Sequence, residues 1–301
     1  MMRNHSTPSK AQRLRELLAG RTVAIPGACN ALTAMQIERA GFEIVYVSGA
    51  AIWTDMSREA SAVARSVALP TIVDADTGYG PPSVVREAVQ EFERAGLAGM
   101  QIEDQEEAKK CGHLSGKRLI PTADMVAKIT AAVEAKCDRD FVLVARTDAR
   151  AVDGLQAAIQ RGVAYANAGA DALFPEALLS ADEFHTFALE MNRAGVHLPL
   201  IANMTEFGKT PYLSVDEFET LGYRGVLFPV STLRVAALAV EKLLRELRFF
   251  GSQRAWLDHM MTRQELYSLL RYEHGQNQTG RPYEPGDTRT ARNENHGAPP
   301  L

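Results

Sequence analysis

The sequence predicts an α/β fold: a closed (β/α)8 barrel of the TIM type, followed by an extra C-terminal helical segment. Three observations predict it. Short, nearly all-apolar runs recur eight times along the chain, as expected of strands covered on both faces. Amphipathic, helix-spaced stretches separate them, and repeated strand–helix units make parallel strands. The Gly-x-Gly-x-x-Gly turn that often marks a doubly wound open sheet is absent.

In order, the strands are expected at 22–27, 43–48, 71–75, 99–103, 141–145, 172–175, 198–202 and 225–230. Helices are expected at 32–40, 82–95, 122–136, 154–168, 181–194, 215–221 and 231–250, with a compact one inside 55–67. Gly41, Gly96, Gly169 and Gly222 each follow a helix, where a residue tolerant of left-handed backbone closes it. Pro81-Pro82, Thr122 with Asp124, and Ser214 with Glu217 mark helix starts, the last as a capping box. Residues 252–271 read as further helix outside the eight units. The expected organisation is a flexible start at 1–9, the barrel over 10–250, a helical segment at 251–273 and a flexible tail at 274–301. The two ends have little to bury.

Composition excludes several classes. The 301 residues carry 33 Lys+Arg against 37 Asp+Glu, for a net charge of -4. No basic field is present to hold nucleic acid. No apolar run reaches the ~18 residues of a membrane span, and the start lacks the pattern of a secretory signal. The three cysteines, Cys29, Cys111 and Cys137, form no Cys-x-x-Cys pair. That excludes a disulfide framework and a structural zinc site, and makes a reducing cytoplasm the simplest compartment.

In a parallel barrel, chemistry sits at the carboxyl ends of the strands. Those ends carry Tyr46 and Ser48, Asp74 and Asp76, Glu103 and Asp104, Arg146 and Asp148, Glu176, Asn203 and Thr205, and, after the eighth, Arg234. Asp74 and Asp76 at spacing i, i+2 project to one side of a strand. Two such carboxylates favour a cation between them, and oxygen ligands without His or Cys favour Mg2+. Glu103 and Asp104 are further candidates, acting through water. Arg146, Arg234 and Arg263 are candidate clamps for a substrate with more than one carboxylate. Cys111 stands between Lys109-Lys110 and His113 in a long polar loop. That positive field lowers a thiol pKa and suits a proton donor or a nucleophile.

The motifs KKCGHLSGK, VDADTGYG, QIEDQ, ARTDA, FPEA, NMTEFGKTP and MTRQELY, in this order, resemble those of the isocitrate lyase/phosphoenolpyruvate mutase superfamily over roughly residues 10–273. The resemblance implies a (β/α)8 barrel whose eighth helix is swapped between subunits of a cytoplasmic homotetramer. It further implies a Mg2+-dependent retro-aldol lyase for a small di- or tricarboxylate, of the kind used in propionate catabolism. Carried over by residue, Ser48, Gly49 and Ala50 meet the substrate, and Asp74 and Asp76 serve Mg2+ with Glu103 nearby. Cys111 and Gly112 meet the succinate half, with His113 beside the thiol. Arg146, Glu176, Asn203, Thr205, Arg234 and Arg263 complete the anion pocket. Tyr46 and Glu176 are the candidates for the base. The chain departs from the family at Ala50, which stands in place of a glycine, and in the segment before VDAD. That segment is shorter and lacks a Gly-x-Pro-Asp stretch. Either Asp55 replaces the aspartate of that stretch or the metal shell is one acid short.

Overall fold

The computed structural model describes residues 8–52, 55–107, 109 and 116–272. Residues up to Leu257 form one compact unit and those from Asp258 a second. In the first, strands and helices alternate: α1 Lys10–Ala19, β1 Val23–Pro26, α2 Ala31–Arg39, β2 Val45–Val47, α3 Met56–Ser66, β3 Thr71–Asp74, α4 Pro82–Ala95, β4 Gly99–Glu103 and α5 Thr122–Ala135. The series continues with β5 Val142–Thr147, α6 Leu155–Asn167, β6 Ala172–Pro175, α7 Ala181–Arg193, β7 Ile201–Asn203, α8 Val215–Thr220, β8 Gly225–Phe228 and α9 Ser231–Phe250.

All strand pairs are parallel. They form one run β2-β3-β4-β5-β6 and another β1-β8-β7. Single bridges from Gly27 to Tyr46 and from Leu173 to Leu200 join the two runs, which closes the ring in sequence order. The eight expected strands are all present, shifted at their ends by up to three residues.

The two-residue period of the strands sorts side chains into two cores. Val47, Val73, Ile102, Leu143, Ala145, Leu173 and Val226 face outward and pack against the helices. Ile25, Ile72, Val144, Phe174, Ile201 and Leu227 face inward and fill the barrel. The inward cluster also contains Leu14 and Leu18 of α1. A Cβ on Gly99 would meet Leu14, and one on Gly225 would lie near Leu18. The helix therefore plugs the amino-terminal end of the barrel, and Arg15 ties it to the Asp140 carbonyl at 2.8 Å and to Asp171 at 2.6 Å. The sequence reading placed no helix here, although Ala11, Leu14 and Leu18 repeat at helical spacing.

The end signals act as their chemistry requires. Gly96 closes α4 at φ 88°, and Ser214 and Glu217 form the capping box that opens α8. Residues 252–271 are not one helix. A 3-10 turn, Arg254–His259, is separated from α10, Arg263–Leu269, because Thr262 turns extended to cap α10 with Glu265. Among the described residues no helix is long and apolar enough to cross a membrane.

Gly27 fixes the closure of the ring. Its N–H donates to the Phe228 carbonyl at 2.9 Å, and a Cβ there would lie 1.9 Å from the Pro229 carbonyl oxygen. Gly27→Ala should therefore lower stability by about 1–3 kcal/mol through overpacking, measured by urea unfolding. An unchanged midpoint would show that β1 and β8 do not approach this closely.

Candidate functional site

The inward faces of β2 to β7 continue past the barrel core into the carboxyl-end mouth. There the residues are Tyr46 on β2, Asp74 on β3, Gln101 and Glu103 on β4, Arg146 on β5, Glu176 after β6 and Asn203 on β7. A cavity of about 360 Å3 opens among them, lined by Asp74, Lys109, Arg146, Glu176, Asn203 and Arg234. Tyr46, Ser48, Ala50 and Thr205 line it as well, beside an apolar wall of Phe174 and Leu227.

Asp74 is positioned from three sides. The Gly49 N–H donates to it at 3.0 Å, the Gln101 amide at 3.2 Å and the Asp76 N–H at 3.2 Å. Asp76 lies past the end of β3 at φ 50°, a left-handed conformation that Asp tolerates. Gly49 is required by proximity: a Cβ would sit 2.9 Å from Asp76 Oδ1 and 3.1 Å from Asp74 Oδ2. Glu103 is fully buried and meets Arg146 at 3.2 Å. Burial pushes its carboxyl up to about 8, against the pull of Arg146. Burial and then the neighbouring Asp74 likewise raise Asp76, against Lys109.

Three facts fit these acids to a hard divalent cation. Their donor set is all oxygen. Asp76 Oδ1 and Glu103 Oε2 are buried and meet only cations among the described residues, the Lys109 ammonium and the Arg146 guanidinium. Gly49 keeps side-chain atoms away from the Asp74 and Asp76 oxygens. Among the described residues no three acidic, His or Cys side chains already stand at ligand spacing round one point. Asp74, Asp76 and Glu103 are instead gathered about the Lys109 ammonium.

Several expectations change. Asp104 is not near the metal acids: it follows Glu103, so strand parity turns it outward. It accepts from Thr147 Oγ1 at 2.8 Å, Tyr165 Oη at 2.7 Å and Arg161 at 3.1 Å. Asp55 caps α3 by accepting from the Arg58 N–H, which leaves Asp74, Asp76 and Glu103 as the acids at the cradle. Tyr46 donates to Gln101 Oε1 at 2.7 Å, and burial holds its phenol well above its ordinary pKa. Arg146 does not offer a free fork to a ligand. Its guanidinium is paired with Asp148 at 2.9 and 3.1 Å, and with Glu103, and it stacks 5.3 Å from the Phe174 ring. Burial alone would lower its pKa, but Asp148, Glu103 and Glu176 outweigh that and leave it raised.

Glu176 is buried and accepts from the Asn203 amide at 3.2 and 3.3 Å, with Arg146 3.9 Å away. Arg234, at the start of α9, pairs with Glu206 at 3.3 Å and stacks over Phe207. Cys111, Gly112 and His113 lie outside the described residues. Arg263 is the first residue of α10, in the second unit.

Residues missed by the sequence reading support those it found. Gln101 links Tyr46 to Asp74, Lys117 forms a buried pair with Asp148 at 2.7 Å, and Glu206 holds Arg234. Gln101 was detectable: it stands two residues before Glu103 and shares its face.

Fold and site together define a class: a parallel α/β barrel whose mouth is lined by buried acids and guanidinium groups, suited to a small anionic substrate and a hard cation. The chain matches the phosphoenolpyruvate phosphomutase family over residues 14–248, and it belongs to that family. It is 48% identical to a 2-methylisocitrate lyase of Aeropyrum pernix, with 86% of each chain covered. Among solved structures it resembles 2,3-dimethylmalate lyase, described as a PEP mutase/isocitrate lyase superfamily member. That match has a TM-score of 0.81 and 33% identity, covering 88% of this chain and 92% of the other. It also resembles phosphonopyruvate hydrolase in complex with oxalate and Mg2+, with a TM-score of 0.77 and 30% identity, covering 87% and 95%.

Glu103 makes stability depend on pH. Its folded pKa of about 8 lies above its ordinary value of 4.5, so the folded chain holds a proton that the unfolded chain has lost between those values. Stability should fall as pH rises through that window, and the loss is complete above about 8. Denaturant unfolding in chelator at pH 5.5 and 8 checks this. Glu103→Gln should flatten the dependence, and an equal slope in both proteins would contradict the assignment.

Proposed function

We propose that this chain is a Mg2+-dependent carbon–carbon lyase that cleaves 2-methylisocitrate to pyruvate and succinate by retro-aldol chemistry. The observation that carries the reading is the single cavity where Asp74, Glu176 and Arg234 meet, in a barrel 48% identical to a 2-methylisocitrate lyase. Asp74, Asp76 and Glu103 would hold the metal. Bound there, Mg2+ would supply a Lewis acid for the substrate hydroxyl oxygen, which carries charge once its proton leaves.

The protein's own groups account for the remaining steps. Ser48, the Gly49–Ala50 backbone, Asn203, Thr205 and Arg234 face the substrate carboxylates. Arg234 is steadied by Glu206, so its planar donor is oriented in advance. Glu176 accepts the hydroxyl proton, and its Asn203 partner aims the carboxylate at the cavity. The O–H electrons become the carbonyl bond and the adjacent carbon–carbon bond breaks. The electron pair left on the succinate carbon takes the proton of the Cys111 thiol. His113, Lys109 and Lys110, close in sequence, tune that thiol. Arg146 pairs with Glu103 and Asp148 and keeps the mouth compact, while Gly112 completes the anion contacts in this reading.

The assembly belongs to the same reading. α9 has no buried residue, and Val235, Leu238, Val240, Leu244 and Leu247 are exposed along it. Its first turn is anchored where Thr232 donates to the Gly27 carbonyl at 2.7 Å. Beside it, between α2 and α8, runs an apolar groove of about 490 Å3 lined by Ala24, Pro26, Ile37, Phe42, Val215 and Phe228. In the proposed helix-swapped homotetramer, a partner copy's α9 fills that groove. A cytoplasmic location and a place in propionate breakdown follow from the activity. The likeness to 2,3-dimethylmalate lyase favours a substituted malate as the second reading.

A pyruvate-coupled assay decides among substrates. Release is expected from 2-methylisocitrate, dependent on MgCl2, and reduced at least ~100-fold in Cys111→Ala or Cys111→Ser. Release from a substituted malate alone would establish the second reading, and none from either, by folded protein with metal, would overturn both. For the assembly, Leu238→Asp with Leu244→Asp should shift the sedimentation coefficient from tetramer towards monomer. An unshifted tetramer would contradict the helix exchange.

A further inference from the structure

Lys109 stands where the acids converge. Its ammonium lies 3.9 Å from Asp74 Oδ2 and 3.7 Å from Glu103 Oε1, and is in direct contact with Asp76 Oδ1. The Asp74 and Glu103 side chains are 6% and 0% exposed, and the lysine side chain 26%. At this depth solvent screens poorly, so a second cation among the same oxygens is strongly repelled. The two cations also ask for different spacing. An ammonium takes oxygens at hydrogen-bond distance, about 2.8 Å, whereas Mg2+ requires them near ~2.1 Å. With the ammonium among them, no three acids reach ligand spacing among the described residues.

We propose that Lys109 is a tethered counter-cation of the metal cradle: its ammonium and Mg2+ compete for Asp74, Asp76 and Glu103, and metal entry displaces the lysine. The proposal rests on the Mg2+ reading of the site. It deepens that reading by giving the lysine a role that pairing in a surface loop would not. The lysine keeps the buried acids neutralised until the metal arrives, and it sets the metal affinity through the competition.

The first test is calorimetric titration of MgCl2 into chelator-stripped protein, without substrate, for wild type and Lys109→Met. The variant keeps most of the aliphatic stem and loses the charge. It should bind Mg2+ about tenfold more tightly, because no competitor has to leave. Equal or weaker binding by the folded variant would overturn the proposal.

The second test uses the wild type alone. Lysines are acylated with an N-hydroxysuccinimide ester and read by peptide mass spectrometry, with and without saturating MgCl2. Labelling of Lys109 should rise severalfold when the metal expels it, and unchanged or reduced labelling would overturn the proposal. Wild type that binds no Mg2+ in the calorimeter would defeat the metal reading and the lysine proposal together. Mg2+ binding with Lys109 labelling unmoved would defeat the lysine proposal alone.

Discussion

The organising constraint is charge held at depth. Asp74, Glu103, Asp148 and Glu176 are buried at the carboxyl ends of the barrel strands, with half-exposed Asp76 beside them. An isolated carboxylate in such a place is very costly, so each must find a cation or take up a proton. Arg146 and Lys117 answer part of that demand, and Lys109 gathers Asp74, Asp76 and Glu103. Glu103 shows the alternative, with a carboxyl raised towards neutral pH. The smaller features follow from the same demand: Gly49 approaches the acids without a side chain, Gln101 fixes Asp74, and Asn203 fixes Glu176.

The barrel makes this concentration possible. Eight parallel strands with a period of two bring one side chain from each to a common mouth, and the same alternation puts aliphatic residues below it. One position of difference changes a residue's role. Glu103 points inward to Arg146 and Lys109, while Asp104 faces the helices and is satisfied by Thr147, Tyr165 and Arg161. At the opposite end α1 packs Leu14 and Leu18 into the barrel core.

Much of this was legible in the sequence. The eight apolar runs and their glycine stops gave the strand–helix order, because buried parallel strands need little besides apolar side chains. The strand-end positions gave Asp74, Asp76, Glu103, Glu176, Asn203 and Arg234. What was not legible depended on parity or on partners distant in sequence. Asp104 looks like Glu103 until the strand alternation is applied at its last residues. The bond from Tyr46 to Gln101 joins residues distant in sequence, and Arg146 looks free until Asp148, two residues on, closes its fork. The α1 plug was hidden by its polar residues, since only Ala11, Leu14 and Leu18 mark its buried face. The break at Met260–Thr262 arose because a local capping box overrode a helical pattern.

The central claim is that Asp74, Asp76 and Glu103 form a cradle for one divalent cation, in contact with the substrate cavity. Crystals grown with MnCl2 in place of MgCl2, measured at the manganese absorption edge, test it most directly. The account predicts one strong anomalous peak within coordination distance of carboxylate oxygens of Asp74 and Asp76, with Glu103 facing it directly or through water. Full-occupancy manganese elsewhere in the barrel, or no peak there at millimolar metal with these residues ordered, would contradict it.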